Sequence, residues 1–449
     1  MAFTAVDSSG NGMAGLMALA VSGVDSNMVV GVGARAGGLL AEVNTNQANI
    51  YVGETALDDL RDEFGNSLPF GDSLYALMPT GTCTFSENEV GAMLGAVAMG
   101  HGDATVVVSG SEFSANEMLG LYTMAMAEEG DAAIVAMDNE FVDNGGDGMS
   151  ARARTQIGDA AVIAVENEFA NNQDAGLNAY ARVSLGESIV LADGNSATGN
   201  EVGITALAGN QFGVAAVVLE ENQVTGNNSD GVRVRAESDD GDAVVVAGEN
   251  EFSDNGANGM MALARTRRGD AAVIAVDNSM SNNGENGMMV LARTRRGDAT
   301  VQAEVNDFSG NGNDGMVAMA RARRGDAVVR VFENTASNNG DDGLMVHAQA
   351  VTGDATARVR GNTTNDNGDD GVFASALTET GDATTRVRLN TANNNGGDGL
   401  VSETQTDVGD VTAIMNNNTA TNNAGNALSL TATVITSGTI TYEMNNNTF

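Results

Sequence analysis

The sequence contains no lysine and no tryptophan, and its charge is strongly one-sided. All 21 basic residues are arginine, against 60 aspartate and glutamate residues, which gives a formal net charge of −39. A surface of this sign repels nucleic acids and anionic membranes. No apolar run reaches the length of a transmembrane helix. We therefore expect no nucleic-acid partner and no membrane insertion.

Cysteine, histidine and proline are also scarce. The single cysteine, Cys83, excludes a disulfide framework within the chain. The two histidines, His101 and His347, are isolated in the sequence and indicate no Ser-His-Asp or Cys-His catalytic arrangement. Phosphate-binding and dinucleotide-binding fingerprints are missing as well. On these grounds the sequence predicts that the protein is not an enzyme, with no catalytic residue and no cofactor other than calcium.

A 28-residue repeat organises most of the chain. The unit at 269–296 reads GDAAVIAVDNSMSNNGENGMMVLARTRR, and its opening Gly-Asp returns at 297, 325, 353, 381 and 409. Each unit holds two segments in which apolar or small residues alternate with others, which is the periodicity of β-strands. A fixed period of this length is typical of a solenoid, in which each coil packs only on its neighbours. We predict an all-β chain of about 14 to 15 coils.

The repeat suggests three segments. Residues 1–54 hold degenerate N-terminal coils, residues 55–80 interrupt the pattern, and residues 81–449 form the regular solenoid. The interruption contains both prolines and an acidic stretch, 56–64, that predicts a short helix. We interpret it as an inserted loop over one face of the solenoid.

Asparagine recurs at two fixed places in each unit. Stacked coils bring equivalent residues about 4.8 Å apart, where one side-chain amide can donate to the next. We therefore predict asparagine ladders at two corners, and we expect the asparagines themselves to adopt the left-handed conformation that a corner needs. The first ladder contains Asn278, Asn306, Asn334, Asn362 and Asn390, and the second contains Asn283, Asn311, Asn339, Asn367 and Asn395.

This pattern resembles the repeat of right-handed parallel β-helix proteins. An asparagine, a short spacer, Asn-Gly, two further residues, and then glycine with an aliphatic residue is similar to repeats of pectate-lyase-like enzymes, phage tailspikes and surface adhesins. The resemblance covers about 81–449 and, more weakly, 1–54. It implies a single right-handed parallel β-helix. It does not by itself imply an activity, because the same coil supports lyases, hydrolases and inert stalks.

Two rows of aspartate need an explanation, because stacked like charges repel. One row follows each opening glycine, and the other contains Asp314, Asp342, Asp370 and Asp398. One hypothesis is calcium bound between the carboxylates. The other, which we favour, is that the aspartates accept hydrogen bonds from backbone N–H groups while Arg295, Arg296, Arg323 and Arg324 supply counter-charge.

An outer strand face also carries arginine. Arg358, Arg360, Arg386 and Arg388 project from one face near Asp354 and Asp382. Pectate-lyase-like enzymes combine acidic metal ligands with a basic residue, so the resemblance implies an alternative function for coils 353–410: a polysaccharide lyase or a glycan-binding spike. The competing interpretation is a solvated strand face that merely repeats with the period.

Two features indicate association. The second strand carries large apolar residues on both faces, so we predict an exposed stripe formed by Met261, Met289, Val317, Met345 and Phe373. The last half-coil, which ends at Phe449, matches the start of a unit, and we expect either head-to-tail stacking into a filament or a fragment of a longer repeat protein.

The main functional prediction follows from these features. We expect a structural extracellular or cell-surface protein that self-associates, as a filament or as an adhesin stalk. Its most important partner would be a second copy of the same chain, with a glycan or a cell surface as a further partner.

Overall fold

The computed structural model describes residues 2–3, 7–9, 14–22, 28–32, 48–53 and 83–449. The predicted inserted loop at 55–80, with its helix at 56–64, lies outside the described residues. Every regular element of the described part is a β-strand. The strands form a parallel solenoid of about 13 turns with a repeat of about 28 residues, so the predicted fold class is confirmed.

The chain divides into two compact units, Met1–Val218 and Leu219–Phe449. The strands of the first unit, together with β20, which crosses its boundary, are β1 (Ala2–Phe3), β2 (Asp7–Ser9), β3 (Ala14–Ser22), β4 (Met28–Val32), β5 (Ala48–Gly53), β6 (Thr84–Ser86), β7 (Val90–His101), β8 (Ala104–Ser109), β9 (Glu112–Ser114), β10 (Leu119–Glu129), β11 (Ala132–Met137), β12 (Glu140–Val142), β13 (Met149–Ile157), β14 (Ala160–Val165), β15 (Glu168–Ala170), β16 (Ala175–Leu185), β17 (Ser188–Asp193), β18 (Ser196–Thr198), β19 (Val202–Phe212) and β20 (Ala215–Glu220).

The strands of the second unit continue the same order. They are β21 (Gln223–Thr225), β22 (Val232–Asp240), β23 (Ala243–Gly248), β24 (Glu251–Ser253), β25 (Met260–Arg268), β26 (Ala271–Val276), β27 (Met288–Thr294), β28 (Ala299–Glu304), β29 (Met316–Arg324), β30 (Ala327–Phe332), β31 (Leu344–Thr352), β32 (Ala355–Arg360), β33 (Thr363–Asn365), β34 (Val372–Thr380), β35 (Ala383–Arg388), β36 (Thr391–Asn393), β37 (Leu400–Val408), β38 (Val411–Asn416), β39 (Thr419–Thr421), β40 (Leu428–Ser437) and β41 (Ile440–Asn445).

Each regular coil contributes one strand to sheet A and one to sheet C, and most coils add a short strand of sheet B, which is reduced to isolated bridges at Ser279, Asp307 and Thr335. Sheet A contains the six-residue strands that follow Gly-Asp, such as β26, β28 and β30. Sheet B contains three-residue strands, such as β9, β12 and β15, and sheet C contains the long strands, such as β25, β27 and β29. Neighbouring strands pair 28 residues apart, as Met260 does with Met288, so equivalent side chains stack along the solenoid.

Inward-facing side chains are small or aliphatic and fully buried. Ala264, Val273 and Val301 alternate along their strands with outward residues that are half-buried or exposed. This period-two alternation places one face of every strand inside the coil.

Both predicted asparagine ladders form, and their members are buried. The Nδ2 of Asn278 donates to the Oδ1 of Asn306 at 2.9 Å and to the backbone carbonyl of Ala247 at 3.0 Å. The amide N–H of Asn278 donates to that same Oδ1 at 3.0 Å. Each amide thus satisfies buried backbone groups of neighbouring coils, which would be costly to leave unpaired.

The conformational role predicted for these asparagines is wrong. The left-handed residue is the one that precedes each ladder asparagine. It is Asp277, with φ of 55°, before Asn278, and Asn282, with φ of 58°, before Asn283. Even Val305, before Asn306, has φ of 57°. A β-branched residue rarely adopts this conformation, so the packing of the coil determines it.

Candidate functional site

The aspartates after the opening glycines form a hydrogen-bonded row along one corner. The N–H of Asp298 donates to the Oδ1 of Asp270 at 2.8 Å, and the N–H of Asp326 donates to the Oδ1 of Asp298 at 2.8 Å. The predicted backbone N–H bonds are therefore present. The predicted counter-charge is not, because the ion pairs within 4.0 Å in the described part include none of Arg295, Arg296, Arg323 and Arg324.

The second aspartate row lies where each sheet C strand begins. The N–H of Asp342 donates to the Oδ1 of Asp314 at 2.9 Å, and that of Asp370 donates to the Oδ1 of Asp342 at 2.8 Å. The N–H of Asp398 continues the row by donating to the Oδ1 of Asp370 at 2.6 Å. Asp314 and Asp342 are buried.

Burial and neighbouring carboxylates change the titration of this row. Burial, opposed by the hydrogen bond from Asp370 and reinforced by nearby aspartates, raises the pKa of Asp342 to about 7. Burial also raises the pKa of Asp314 and of Asp370.

Two groups of three carboxylates, formed by residues of this row and the aspartates beside it, have oxygens within 4.8 Å of one another. They are Asp314, Asp341 and Asp342, and Asp342, Asp369 and Asp370. Oxygen donors this close fit a hard cation such as calcium. A proton on Asp342 relieves the same repulsion, so calcium binding stays a prediction.

The arginines of sheet A form two columns on the outer face of β30, β32 and β35. Arg330, Arg358 and Arg386 are in register, and Arg360 pairs with Arg388 beside them. Arg358, Arg360 and Arg386 are exposed. Among the described residues none of the five has a carboxylate within 4.0 Å, including Asp354 and Asp382, near which we had expected them. The exposed guanidinium groups of Arg358, Arg360 and Arg386 are available to an external anion.

The surroundings of these arginines are polar and aromatic. Phe332 is half-buried and pairs with Arg360 in the next strand, while Thr356 and Thr384 form a hydroxyl column on the other side. The Nε of Arg388 is buried without a hydrogen-bond partner. We call the five arginines, Phe332 and the two threonines the sheet A arginine face.

Sequence analysis did not identify a second arginine array, on the outer face of sheet C. Arg265, Arg293 and Arg321 pair in register on β25, β27 and β29, and all three are exposed. Six further exposed arginines follow them at 267, 268, 295, 296, 323 and 324. The available signal was the recurrence of ARTRR or ARARR in three successive repeats, on strands that contain no acidic residue.

The predicted apolar stripe on sheet C exists but is only partly exposed. Met261 has a relative exposure of 37%, whereas Val317 is buried at 5%. Met289, Met345 and Phe373 are half-buried. In the last coil, Phe449 is exposed. Their role in self-association stays a prediction.

One histidine is less isolated than the sequence suggested. The Nδ1 of His347 lies 3.0 Å from the Oγ of Ser375 on the adjacent strand. Burial, together with the positive charge of Arg321, lowers the pKa of His347, which favours the neutral imidazole. No recorded hydrogen bond joins a carboxylate to this histidine within the described part, so the pair does not form a Ser-His-Asp triad.

Comparisons with known proteins agree with the architecture. Residues 212–376 match the family model described as "Right handed beta helix region". A search of curated proteins gave no match. No helix among the described residues is long and apolar enough to cross a membrane.

Solved structures with a similar architecture are epimerases. The periplasmic alginate epimerase AlgG has a TM-score of 0.38 and 11% identity, over 90% of this chain and 84% of that chain. The A-module of the Azotobacter vinelandii mannuronan C-5 epimerase AlgE4 has a TM-score of 0.37 and 12% identity, over 75% and 90%. The A-module of AlgE6 from the same organism has a TM-score of 0.33 and 12% identity, over 94% and 91%. Such values establish no correspondence between residues.

These structures correct one prediction. The inference that this chain is not an enzyme was wrong, because it relied on the lack of familiar catalytic motifs in the sequence. The three solved structures named above are epimerases. One fold supports many activities, so function must be argued from the surface residues.

Proposed function

Because this chain carries a right-handed parallel β-helix, we propose that it is a carbohydrate-active protein that binds an anionic polysaccharide, a polyuronate, on its sheet A arginine face. One observation carries the proposal. On a protein of net charge −39, five stacked arginines have no carboxylate within 4.0 Å among the described residues. Such an arrangement lacks an internal role and suits an external anion.

The chemistry of the face fits a uronate. A guanidinium binds a carboxylate through two parallel hydrogen bonds, which a lysine cannot reproduce. The ring of Phe332 offers an apolar surface to the face of a sugar, and Thr356 and Thr384 offer hydroxyls for its ring substituents. The arginines recur once per coil, about every 4.8 Å, so an extended polymer can place successive carboxylates along the column.

The same contacts favour chemistry at the uronate. Neutralising the carboxylate stabilises negative charge that develops when the neighbouring carbon loses its proton. Lyases and epimerases of uronates both begin with that proton loss. Arginine on this face would therefore assist either reaction only by stabilising that charge, because no side chain of the face can accept the proton. We propose an extracellular or cell-surface location, where such polymers occur.

The test is a binding and activity assay with oligouronates. We expect the wild type to bind an oligouronate and not a neutral glucan, and the double variant R358Q/R386Q to lose at least tenfold in affinity. R152Q/R154Q, which removes two exposed arginines from sheet C of the first unit, is the matched control and should bind normally. Product analysis by absorbance and by NMR separates lyase from epimerase activity. Equal affinity of R358Q/R386Q and the wild type would refute the proposal.

The predicted structural role, in a fibre or an adhesin stalk, is a second candidate function. Its supporting observation is a pair of charge ladders of opposite sign on separate strands. The two roles use different residues, so they can be tested separately.

A further inference from the structure

A ladder of glutamates lies on the outer face of sheet B in the first unit. Glu112, Glu140 and Glu168 are the first residues of β9, β12 and β15, and they pair in register. Burial and the charges of Glu112 and Glu168 raise the pKa of Glu140. No arginine lies within 4.0 Å of these carboxylates among the described residues. We call these three residues the glutamate ladder.

Arg265, Arg293 and Arg321 form a matching ladder on sheet C of the second unit. Arg265 approaches one carboxylate, that of Glu237, at 3.7 Å. Arg293 and Arg321 have no such partner in the described part of the chain. β25, β27 and β29 carry no acidic residue. We call these three residues the arginine ladder.

The two ladders have the same spacing for a physical reason. Each places one charge per strand on three successive parallel strands, so the charges in both are separated by the strand spacing of about 4.8 Å. Three arginines of one molecule can therefore face three glutamates of another at the same time. A single exposed ion pair contributes little, because two long side chains must be ordered for one contact. A ladder of three ion pairs contributes more to the binding free energy than three separate pairs do, because a single docking event orders all six side chains.

The surroundings of the arginine ladder also suit a protein partner. Leu263, Leu291 and Met319 are half-buried and lie beside it on the same outer face. Methionine and arginine are enriched at protein interfaces, whereas lysine and acidic residues are depleted.

We propose that the arginine ladder of one molecule docks on the glutamate ladder of a second copy of this chain. The contact is heterologous, because each copy uses a different surface. Heterologous contacts either close into rings or grow into open filaments. A filament keeps one free ladder at each end. The proposal names surfaces that differ from the predicted Met261–Phe373 stripe and from Phe449.

Charge reversal provides the experiment. One variant reverses the arginine ladder, R265E/R293E/R321E, and the other reverses the glutamate ladder, E112R/E140R/E168R. Analytical ultracentrifugation at low salt measures association, and electron microscopy shows the product. We expect the wild type to associate, each variant alone to associate at least tenfold more weakly, and the equimolar mixture of the two variants to recover association. Recovery on mixing shows that each variant supplies the surface that the other has lost, as a contact between the two ladders requires.

The control has the same change in net charge. R152E/R154E/R182E reverses three exposed arginines on sheet C of the first unit, and we expect it to associate as the wild type does. Circular dichroism verifies that every variant is folded. A wild type that stays monomeric at low salt, or a mixture that associates no better than its components, overturns the proposal. No polysaccharide is present, so the outcome is independent of the proposed polyuronate binding.

Discussion

The outer face of sheet A differs sharply between the two units of the chain. In the first unit, the outward residues Val107, Val135 and Ile163 of β8, β11 and β14 are apolar and have relative exposures of 0%, 3% and 4%. In the second unit, the stacked outward positions of β32 and β35 are the exposed Arg358 and Arg386. The inward positions are small or aliphatic in both units. The repeat therefore constrains the inward half of each strand and leaves the outward half free to acquire a function.

The interior also differs at the sheet B corner. In the first unit Phe85, Phe113, Phe141 and Phe169 form a continuous stack, with ring centroids 5.0 Å apart. At the same repeat position in the second unit, the residues after Phe308 are Ala336, Thr364, Ala392 and Ala420, all buried. The first unit thus has a continuous aromatic column at this corner, whereas the second unit has small side chains there after Phe308.

The largest expected effect is the loss of a phenylalanine from that column. Phe141→Ala removes a buried ring that stacks on both sides, and a Phe→Ala cavity costs about 4 kcal/mol. Thr364→Ala, at the equivalent position of the second unit, should cost about 1 kcal/mol or less. Chemical denaturation followed by circular dichroism measures both changes. Similar losses for the two variants would contradict the contrast between the interiors.

The second-largest effect is expected when side chains are exchanged between the outer faces of sheet A in the two units. Ile163→Arg places an unpaired charge on a buried apolar face and should cost about 3 kcal/mol. Arg358→Ile, the reverse exchange on an exposed face, should change the free energy of unfolding by about 0.5 kcal/mol or less. Denaturant unfolding of both variants tests this asymmetry. The predicted asymmetry is wrong if the two substitutions lower the free energy of unfolding equally.

The smallest effect concerns the buried aspartate row of the second unit. The pKa of Asp342 is raised to about 7, so the native state holds a proton that the unfolded state releases at a lower pH. Stability should therefore fall as the pH rises from about 4 to about 7. At pH 8, Asp342→Asn should raise stability by about 1 kcal/mol, allowing for solvent screening, and at pH 4 it should have little effect.

Melting temperatures at both pH values measure this difference. Asn286→Asp, which adds a carboxylate next to Asp314 in the same row, is the reciprocal variant and should destabilise at pH 8. A melting temperature that rises with added calcium in the wild type, and not in Asp342→Asn, would identify calcium as the neutralising ion. An unchanged pH dependence in Asp342→Asn would contradict the assignment to this aspartate.

Much of the fold could be predicted from the sequence, because residues one period apart in a stacked repeat are neighbours in adjacent coils. Asn278 and Asn306 are 28 residues apart, and that interval alone places them in adjacent coils. The same argument predicted the hydrogen-bonded aspartates at 270 and 298. It could not predict which residue takes the left-handed conformation, since Asp277 and Val305 share no side-chain chemistry and have only their position in common.

The candidate sites were harder to predict. Arg358 and Arg386 were recognised as one face, but whether a carboxylate neutralises them depends on side-chain placement in three dimensions. The pairing of His347 with Ser375 was not predicted, because only one repeat has histidine at this position and the prediction used residues that recur.

The sequence alone determined the coil, its 28-residue period, the inward faces and the two asparagine ladders, because each follows from stacking identical units. Only the tertiary structure decided what the outer surfaces can do. The burial of Val107 and Ile163, the raised pKa of Asp342 and the unpaired state of Arg293 each depend on neighbours from other strands. A repeat predicts which residues are stacked, whereas exposure and charge balance depend on everything else that surrounds the stack.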